Sequence, residues 1–220
     1  MPVLVCFALK EEAAPFRTAA AERGGVAILV TGIGRRNAEK SLRDFLAGGS
    51  IPPGWRVARP DLVFTCGFAG GLNPDLKIGD VIFESPATDI GSREILTVAG
   101  AKPAKLFCAD RVAVTVAEKK RLRDETGADA VEMESAAIHA VCGEFGIPCA
   151  TIRVISDPAG EDLPLDFNAL ARPDRSLDYS KLLRTVARSP GKMAALMALR
   201  KSARLAADRL GAVLAKTIFP

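Results

Sequence analysis

The sequence predicts an α/β fold with a mixed, largely parallel sheet, and three observations carry that expectation. Short apolar runs bounded by glycine or charge recur along the chain, helical patterns fit between the later ones, and residues 130–155 read as strand, helix and strand in succession. With 220 residues, 49% hydrophobic and 25% charged, the chain can bury roughly 70% of its unfolded surface. Disordered and disulfide-scaffold classes are thereby set aside.

Taken in order, Val3–Phe7, Val26–Val30 and Leu62–Cys66 are apolar runs that read as buried strands. Lys40–Phe45 fits the inner part of a helix after a Gly32–Gly34 loop. Val81–Phe83 and Ile95–Val98 are expected as further strands. Ala117–Glu125 reads as a helix ended by Gly127 as C-cap. From Ala130 a strand runs into VEME, an alanine-rich helix spans Ser135–Phe145, Gly146 and Pro148 stop it, and the strand Ala150–Ile155 follows. A loop at Ser156–Gly160 comes next. Pro164, Pro173 and Pro190 then separate helix starts, and Lys192–Lys216 reads as one long helix.

The longest uncharged stretch, Leu62–Pro74, has 13 residues and three glycines, short of the roughly 20 needed to span a bilayer. The beginning, MPVLVCFALKEE, turns acidic at once and does not read as a signal peptide, so a cytoplasmic address is expected. Five cysteines without CxxC spacing suit reduced thiols, and a single histidine, His139, argues against structural zinc. Residues 171–220 carry 11 Lys/Arg against 3 Asp/Glu, which leaves the remaining 170 residues mildly acidic. Such a basic block is either a solvated helical face or a contact for an anionic surface. Nucleic acid is not the expected partner, because the block holds only Tyr179 and Phe219 as aromatics for stacking.

In open α/β sheets ligands gather at the carboxyl ends of strands. The first strand ends in Glu11 and Glu12, a pair that also suits a helix N-terminus for dipole reasons alone. Glycine-rich turns follow the next two strands, Thr31–Gly34 (TGIG) and Gly67–Leu72 (GFAGGL), and their amides can hold an anion or a sugar. Neither has the order of a Walker loop or a dinucleotide fingerprint. Glu132 and Glu134 stand in an apolar stretch, where carboxylates are costly without partners or ligands. Ser156-Asp157 ends the last strand and suits either a cap or a site. Glu12, Glu134 and Asp157 thus converge on one sheet edge. Two carboxylates in unlike protonation states are the equipment for breaking a glycosidic bond.

The segments FALKEEAAPF, TGIGRRNAEKSL, CGFAGGLNPDLKIGDVI, GADAVEMESAAIHAVCGEFGIP and IRVISD resemble, in order and spacing, the purine nucleoside phosphorylase and nucleosidase superfamily, over about residues 3–168. Within it they are similar to methylthioadenosine/S-adenosylhomocysteine nucleosidases. The resemblance implies a three-layer α/β/α fold with a mixed, largely parallel central sheet, a homo-oligomer, and cleavage of a ribose–base bond without metal or organic cofactor. It places a nucleoside phosphorylase-like domain at residues 1–168 and a basic helical extension at 169–220, packed on the same domain.

By the same resemblance Glu12 activates the attacking water and Asp157 protonates N7 of the leaving adenine. Glu134 binds the ribose hydroxyls, Met133 packs beside the sugar and Ser156 supports Asp157. Val112 and Ala113 wrap the base, Gly67 and Phe68 form the pocket floor, and Phe167 covers the ligand. Phe68 stands where those nucleosidases have a serine. That departure, the extension and the phrase EKKRLRDETGADAVEMES are more similar to hopanoid-associated phosphorylases, which implies a lipid-linked adenosine, adenosylhopane, as substrate. Leu163, Leu165 and Phe167 suit an apolar 5′ group. The last helix sets Leu196, Leu199, Leu210 and Leu214 among basic residues, which suits either peripheral contact with an anionic membrane or packing on the body. Two further readings stay open: phosphate as co-substrate, with Arg35 and Arg36 beside TGIG, and a non-catalytic nucleoside-binding module.

Overall fold

The computed structural model describes residues 1–21, 23–49, 59–85, 90–170 and 192–219. Its strands are β1 (Val3–Phe7), β2 (Val26–Val30), β3 (Leu62–Gly71), β4 (Val81–Glu84), β5 (Lys102–Pro103), β6 (Leu106–Cys108), β7 (Ala130–Glu132) and β8 (Cys149–Asp157). Its helices are α1 (Lys10–Ala20), α2 (Arg35–Leu46), α3 (Ile90–Ala99), α4 (Val116–Thr126), α5 (Ser135–Glu144), α6 (Phe167–Leu170) and α7 (Lys192–Ile218). The helix starts expected at Pro173 and Pro190 lie outside the described residues.

All five side chains of β1 are buried, the mark of a central parallel strand covered on both faces. Val3, Val5 and Phe7 join Phe16 of α1, Leu96 of α3 and Leu210 and Leu214 of α7 in one core. The alternate residues Leu4 and Cys6 meet Ala38 and Leu42 of α2 and Ile138 and Val141 of α5 in a second. The period of two therefore divides one strand between two helical layers, and the expected three-layer α/β/α arrangement holds. Each fully buried aliphatic or aromatic side chain contributes about 1.5–3 kcal/mol.

The sheet runs β2-β1-β3-β8-β4-β5, with β7 pairing both β3 and β6. Strands β2, β1, β3 and β8 are mutually parallel, so their carboxyl ends share one edge. Strand β4 is antiparallel to β8, and β7 is antiparallel to the far end of β3, at Gly70 and Gly71. That last pairing brings VEME back to the same edge.

One expectation is corrected, and for the last helix one of two open readings is decided at Leu210 and Leu214. Ile95–Val98 lies in helix α3 and forms no strand: Leu96 and Ala99 are buried while Ile95 and Val98 are exposed, a three-residue spacing. A four-residue apolar run carries too little periodicity to choose between the two. The apolar face suggested for a lipid surface also changes, because Leu210 and Leu214 are fully buried in the core beneath α1. Helix α7 crosses α1 almost backbone to backbone: a Cβ on Gly211 would lie 2.9 Å from Pro15 Cβ and 3.1 Å from the Phe16 nitrogen. The amino-terminal half of α7 is different, with Met193, Met197 and Leu205 exposed. Among the described residues no helix is long and apolar enough to cross a membrane.

Candidate active site

A cavity of about 170 Å³ opens at the shared edge of the parallel strands. Its wall includes Glu12, Phe68, Val112, Ala113, Met133, Glu134, Ser156 and Asp157. The sequence singled out all eight, and they come from five separate segments. Gly67 lies behind the wall and Phe167 lies outside it, at the start of α6. A larger apolar cavity, bordered by Val3, Val26, Phe64 and Phe219, lies at the opposite ends of the strands, away from these carboxylates.

Each carboxylate is placed by backbone geometry. Glu12 is the third residue of α1, where an acidic side chain can reach back to the first free amide. Its Oε2 accepts from the Leu9 nitrogen at 2.8 Å and its Oε1 from the Phe68 nitrogen on β3, also at 2.8 Å. The approach requires a glycine on the strand: a Cβ on Gly67 would sit 2.9 Å from Glu12 Oε1 and 2.7 Å from an Arg153 nitrogen. Glu134 opens α5, and its Oε1 accepts from the Gly34 nitrogen of the TGIG turn at 2.8 Å. Asp157 ends β8 just after a register shift, in which Ala69 pairs with Ile155 but Gly70 pairs with Asp157. The extra residue, Ser156, is a bulge, and it lets adjacent Ser156 and Asp157 both face the cavity. Ser156 Oγ donates to Asp157 Oδ1 at 2.7 Å.

Two residues that the sequence reading left without a role prove central. Arg153 is fully buried on β8 and is ion-paired with Glu132, with Glu134 Oε2 at 3.6 Å and Thr65 Oγ1 at 3.3 Å. Glu132 also accepts from the Glu134 and Ser135 nitrogens, each at 2.9 Å, so it caps α5 while holding the guanidinium. An arginine inside the apolar run ATIRVI is the sequence signal for a buried acidic partner. Lys119, on α4, gives no such signal amid other basic residues. Its side chain is nevertheless fully buried, with Nζ 2.6 Å from Asp157 Oδ2.

The electrostatics separate the acids. Burial opposes ionisation of all three glutamates, but the guanidinium and three further donated hydrogen bonds bring Glu132 below its ordinary range. Burial pushes Glu12 up to about 7, against the opposing pull of the Phe68 amide. Glu134 is also raised by burial, and the Arg153 charge offsets this only in part. One arginine therefore serves three carboxylates, and two of them, Glu12 and Glu134, are left raised above their ordinary range.

The 111–113 part of the cavity wall is pinned by a side chain outside it. Asn168 donates to the Val112 carbonyl and accepts from the Val112 nitrogen, both at 2.9 Å. The residue after Phe167 thus fixes the 111–113 segment, whereas Phe167 itself takes no part in the cavity wall. Arg111 lines the cavity and is ion-paired with Glu118; Arg35 donates to the Cys108 carbonyl and lies 3.4 Å from Asp110.

An α/β sandwich with a carboxylate-lined cavity at its strand ends is similar to several known proteins. Residues 101–188 match the model of the phosphorylase superfamily. The chain is 31% identical over 142 residues to a 5′-methylthioadenosine/S-adenosylhomocysteine nucleosidase of Shewanella halifaxensis, covering 50% of this chain. It is 31% identical over 138 residues to an aminodeoxyfutalosine nucleosidase of Campylobacter jejuni, covering 49% of this chain. The matched stretches span only 62% and 60% of the length of those two relatives. In fold, the chain is similar to the futalosine hydrolase of Helicobacter pylori, with a TM-score of 0.70 at 18% identity over 99% of this chain and 97% of that one. It is also similar to a 5′-methylthioadenosine/S-adenosylhomocysteine nucleosidase from Neisseria meningitidis, solved in complex with methylthio-immucillin-A, at a TM-score of 0.68 and 20% identity over 99% and 98% of the two chains.

Arg153→Met tests the charge arrangement. Three buried carboxylates would lose their cation, and a loss of about 3–5 kcal/mol is expected at pH 8. The loss should shrink at pH 5, where protonation relieves the uncompensated charge. Urea unfolding at the two pH values measures this; an equal loss at both would mean that Arg153 acts through packing alone.

Proposed function

We propose that the protein cleaves the N-glycosidic bond of a 5′-substituted adenosine with water as nucleophile and releases adenine. The observation that carries this reading is the convergence of Glu12, Glu134 and Asp157 on one cavity with unlike environments. Asp157 protonates the base at N7, so that the purine leaves as a neutral molecule. Glu134 holds the ribose hydroxyls as positive charge grows in the ring, a contact that strengthens towards the transition state. Glu12 takes the proton of the attacking water, and a carboxylate raised to about 7 suits that task near neutral pH. Met133 lies against the sugar, and Val112 and Ala113 against the base. Hydrolysis is preferred over phosphorolysis because Arg111, which lines the cavity, and Arg35, after the TGIG turn, are already engaged with acidic partners.

For the 5′ group we propose a bulky apolar substituent, as in adenosylhopane of hopanoid lipid biosynthesis. Leu9, Ile33 and Phe68 give the cavity an apolar side, and Phe68 offers no hydroxyl to a polar substituent. Methylthioadenosine is the second reading, favoured by the names of the relatives. In phosphate-free buffer, a panel of 5′-substituted adenosines should yield adenine and the free 5′-substituted ribose by mass spectrometry. Turnover should rise with the apolar length of the 5′ group. Sugar 1-phosphate as the only product, formed solely with phosphate, would reverse the choice of nucleophile.

The pH profile follows from Glu12. It acts as base only when ionised, and its carboxyl is raised to about 7, so kcat/KM should fall as pH drops below about 7. Glu12→Gln should lose roughly 10²–10⁴-fold in kcat and with it this acid limb. A limb that persists unchanged in the variant would assign it to another group.

A lipid-linked substrate implies contact with a membrane surface. The exposed amino-terminal half of α7 sets Met193 and Met197 beside Arg200, Lys201 and Arg204, and we assign the contact to this segment. Flotation should show salt-sensitive binding to vesicles containing phosphatidylserine, with each basic residue contributing about 1 kcal/mol. Neutralising those three residues should abolish it. Absence of binding at low salt would leave the soluble nucleoside as the better substrate.

A further inference from the structure

We infer that Lys119 is a positioning residue for the acid step, acting through Asp157; the inference rests on the proposed role of Asp157 and extends it to a residue outside the cavity wall. Lys119 sits in the first turns of α4, a helix start fixed by Thr115 and Glu118 as a reciprocal capping box. The side chain runs inward and is fully buried. All three ammonium protons have an acceptor: Asp157 Oδ2 at 2.6 Å, the Pro158 carbonyl at 2.8 Å and the Glu161 carbonyl at 2.9 Å.

A buried lysine is costly, and a helix on the protein surface has no structural need to send one inward. What this one reaches is the end of β8 and the turn that follows. The stretch after β8 is tied to the start of α4 twice more, by Val116 nitrogen to Asp162 Oδ1 at 2.6 Å and Leu163 nitrogen to the Val114 carbonyl at 2.8 Å. Lys119 is the only one of these links that ends on Asp157 itself. With Ser156 on Oδ1 and Lys119 on Oδ2, the carboxyl group is held from both sides, and Gly70 closes it in from the strand, since a Cβ there would lie 3.2 Å from Oδ2.

The fixed charge matters at one moment of the reaction. As Asp157 gives its proton to N7, the C1′–N9 bond breaks, its electron pair passes to the purine, and water adds to C1′ as Glu12 takes a proton from it. Negative charge appears on Asp157 during that transfer, beside an ammonium group that needs no movement to meet it. Lys119 is therefore worth more in the transition state than in the ground state, which predicts an effect on kcat and little on KM.

The test compares two leaving groups. 5′-Methylthioadenosine needs its base protonated, whereas the 4-nitrophenyl riboside with the same 5′ group leaves as a stable phenolate. Lys119→Met should lower kcat on the nucleoside by roughly 10²-fold, leave KM within about threefold, and slow the nitrophenyl riboside by less than about threefold. Lys119→Arg, which restores a cation, should recover part of the loss. If the methionine variant does not fold, Lys119→Gln keeps donors without charge and should show the same selectivity between leaving groups. In an Asp157→Asn background, Lys119→Met should add no further loss, because its route is gone. Equal losses on both substrates would make Lys119 a structural residue only, and an unchanged kcat would remove it altogether. Normal nucleoside turnover by Asp157→Asn alone would instead overturn the role of Asp157 itself.

Discussion

The buried guanidinium of Arg153 is the interaction on which the site depends. It lies at the centre of the sheet edge with Glu132 against it, Glu134 within reach and Glu12 nearby. Three carboxylates could not be brought together in an apolar interior without a cation, since each would otherwise be driven to its neutral form. One cation for three acids also leaves them unequal. Glu132 has the guanidinium and three further donated hydrogen bonds, and it is spent on structure. Glu12 and Glu134 are left with fewer partners and correspondingly raised pKa values. The inequality that suits the pair to chemistry follows from the number of donors each receives.

The fold supplies the remaining constraint through strand direction. Parallel β1, β2, β3 and β8 end on one edge, and the antiparallel turn of β7 onto β3 returns VEME to that edge. Helices α1 and α5 begin there, and Glu12 in the first turn of α1 and Glu134 at the cap of α5 both line the cavity. A single bulge in β8 then turns Asp157 towards the others. Asp157 is held by a second, separate cation on α4, so the site has two positively charged anchors in different layers, Arg153 for the glutamates and Lys119 for Asp157.

Much of the fold was legible in the sequence. The central strands are apolar on both faces because both are covered, and apolar runs bounded by glycine survive any context. The run ILTV was misread as a strand because four residues fit either period, and only the packing of Leu96 beneath the sheet decides for a helix. Leu210 and Leu214 likewise suit a lipid surface or a core on composition alone, and the close crossing of α7 on α1 at Gly211 assigns them to the core.

Of the site, the sequence by itself determined the candidates that sit at chain positions with a local signature: Glu12 in a helix start, Glu134 in VEME, and Ser156-Asp157 after an apolar strand. Their residue types and the strand ends that carry them are local properties. Only the tertiary structure decided how their charges are balanced, because an ion pair joins residues far apart in the chain. Arg153 announced a buried partner but not which one. Lys119 announced nothing, since a lysine in a charged helix reads as solvated until the packing of α4 turns it inward against Asp157.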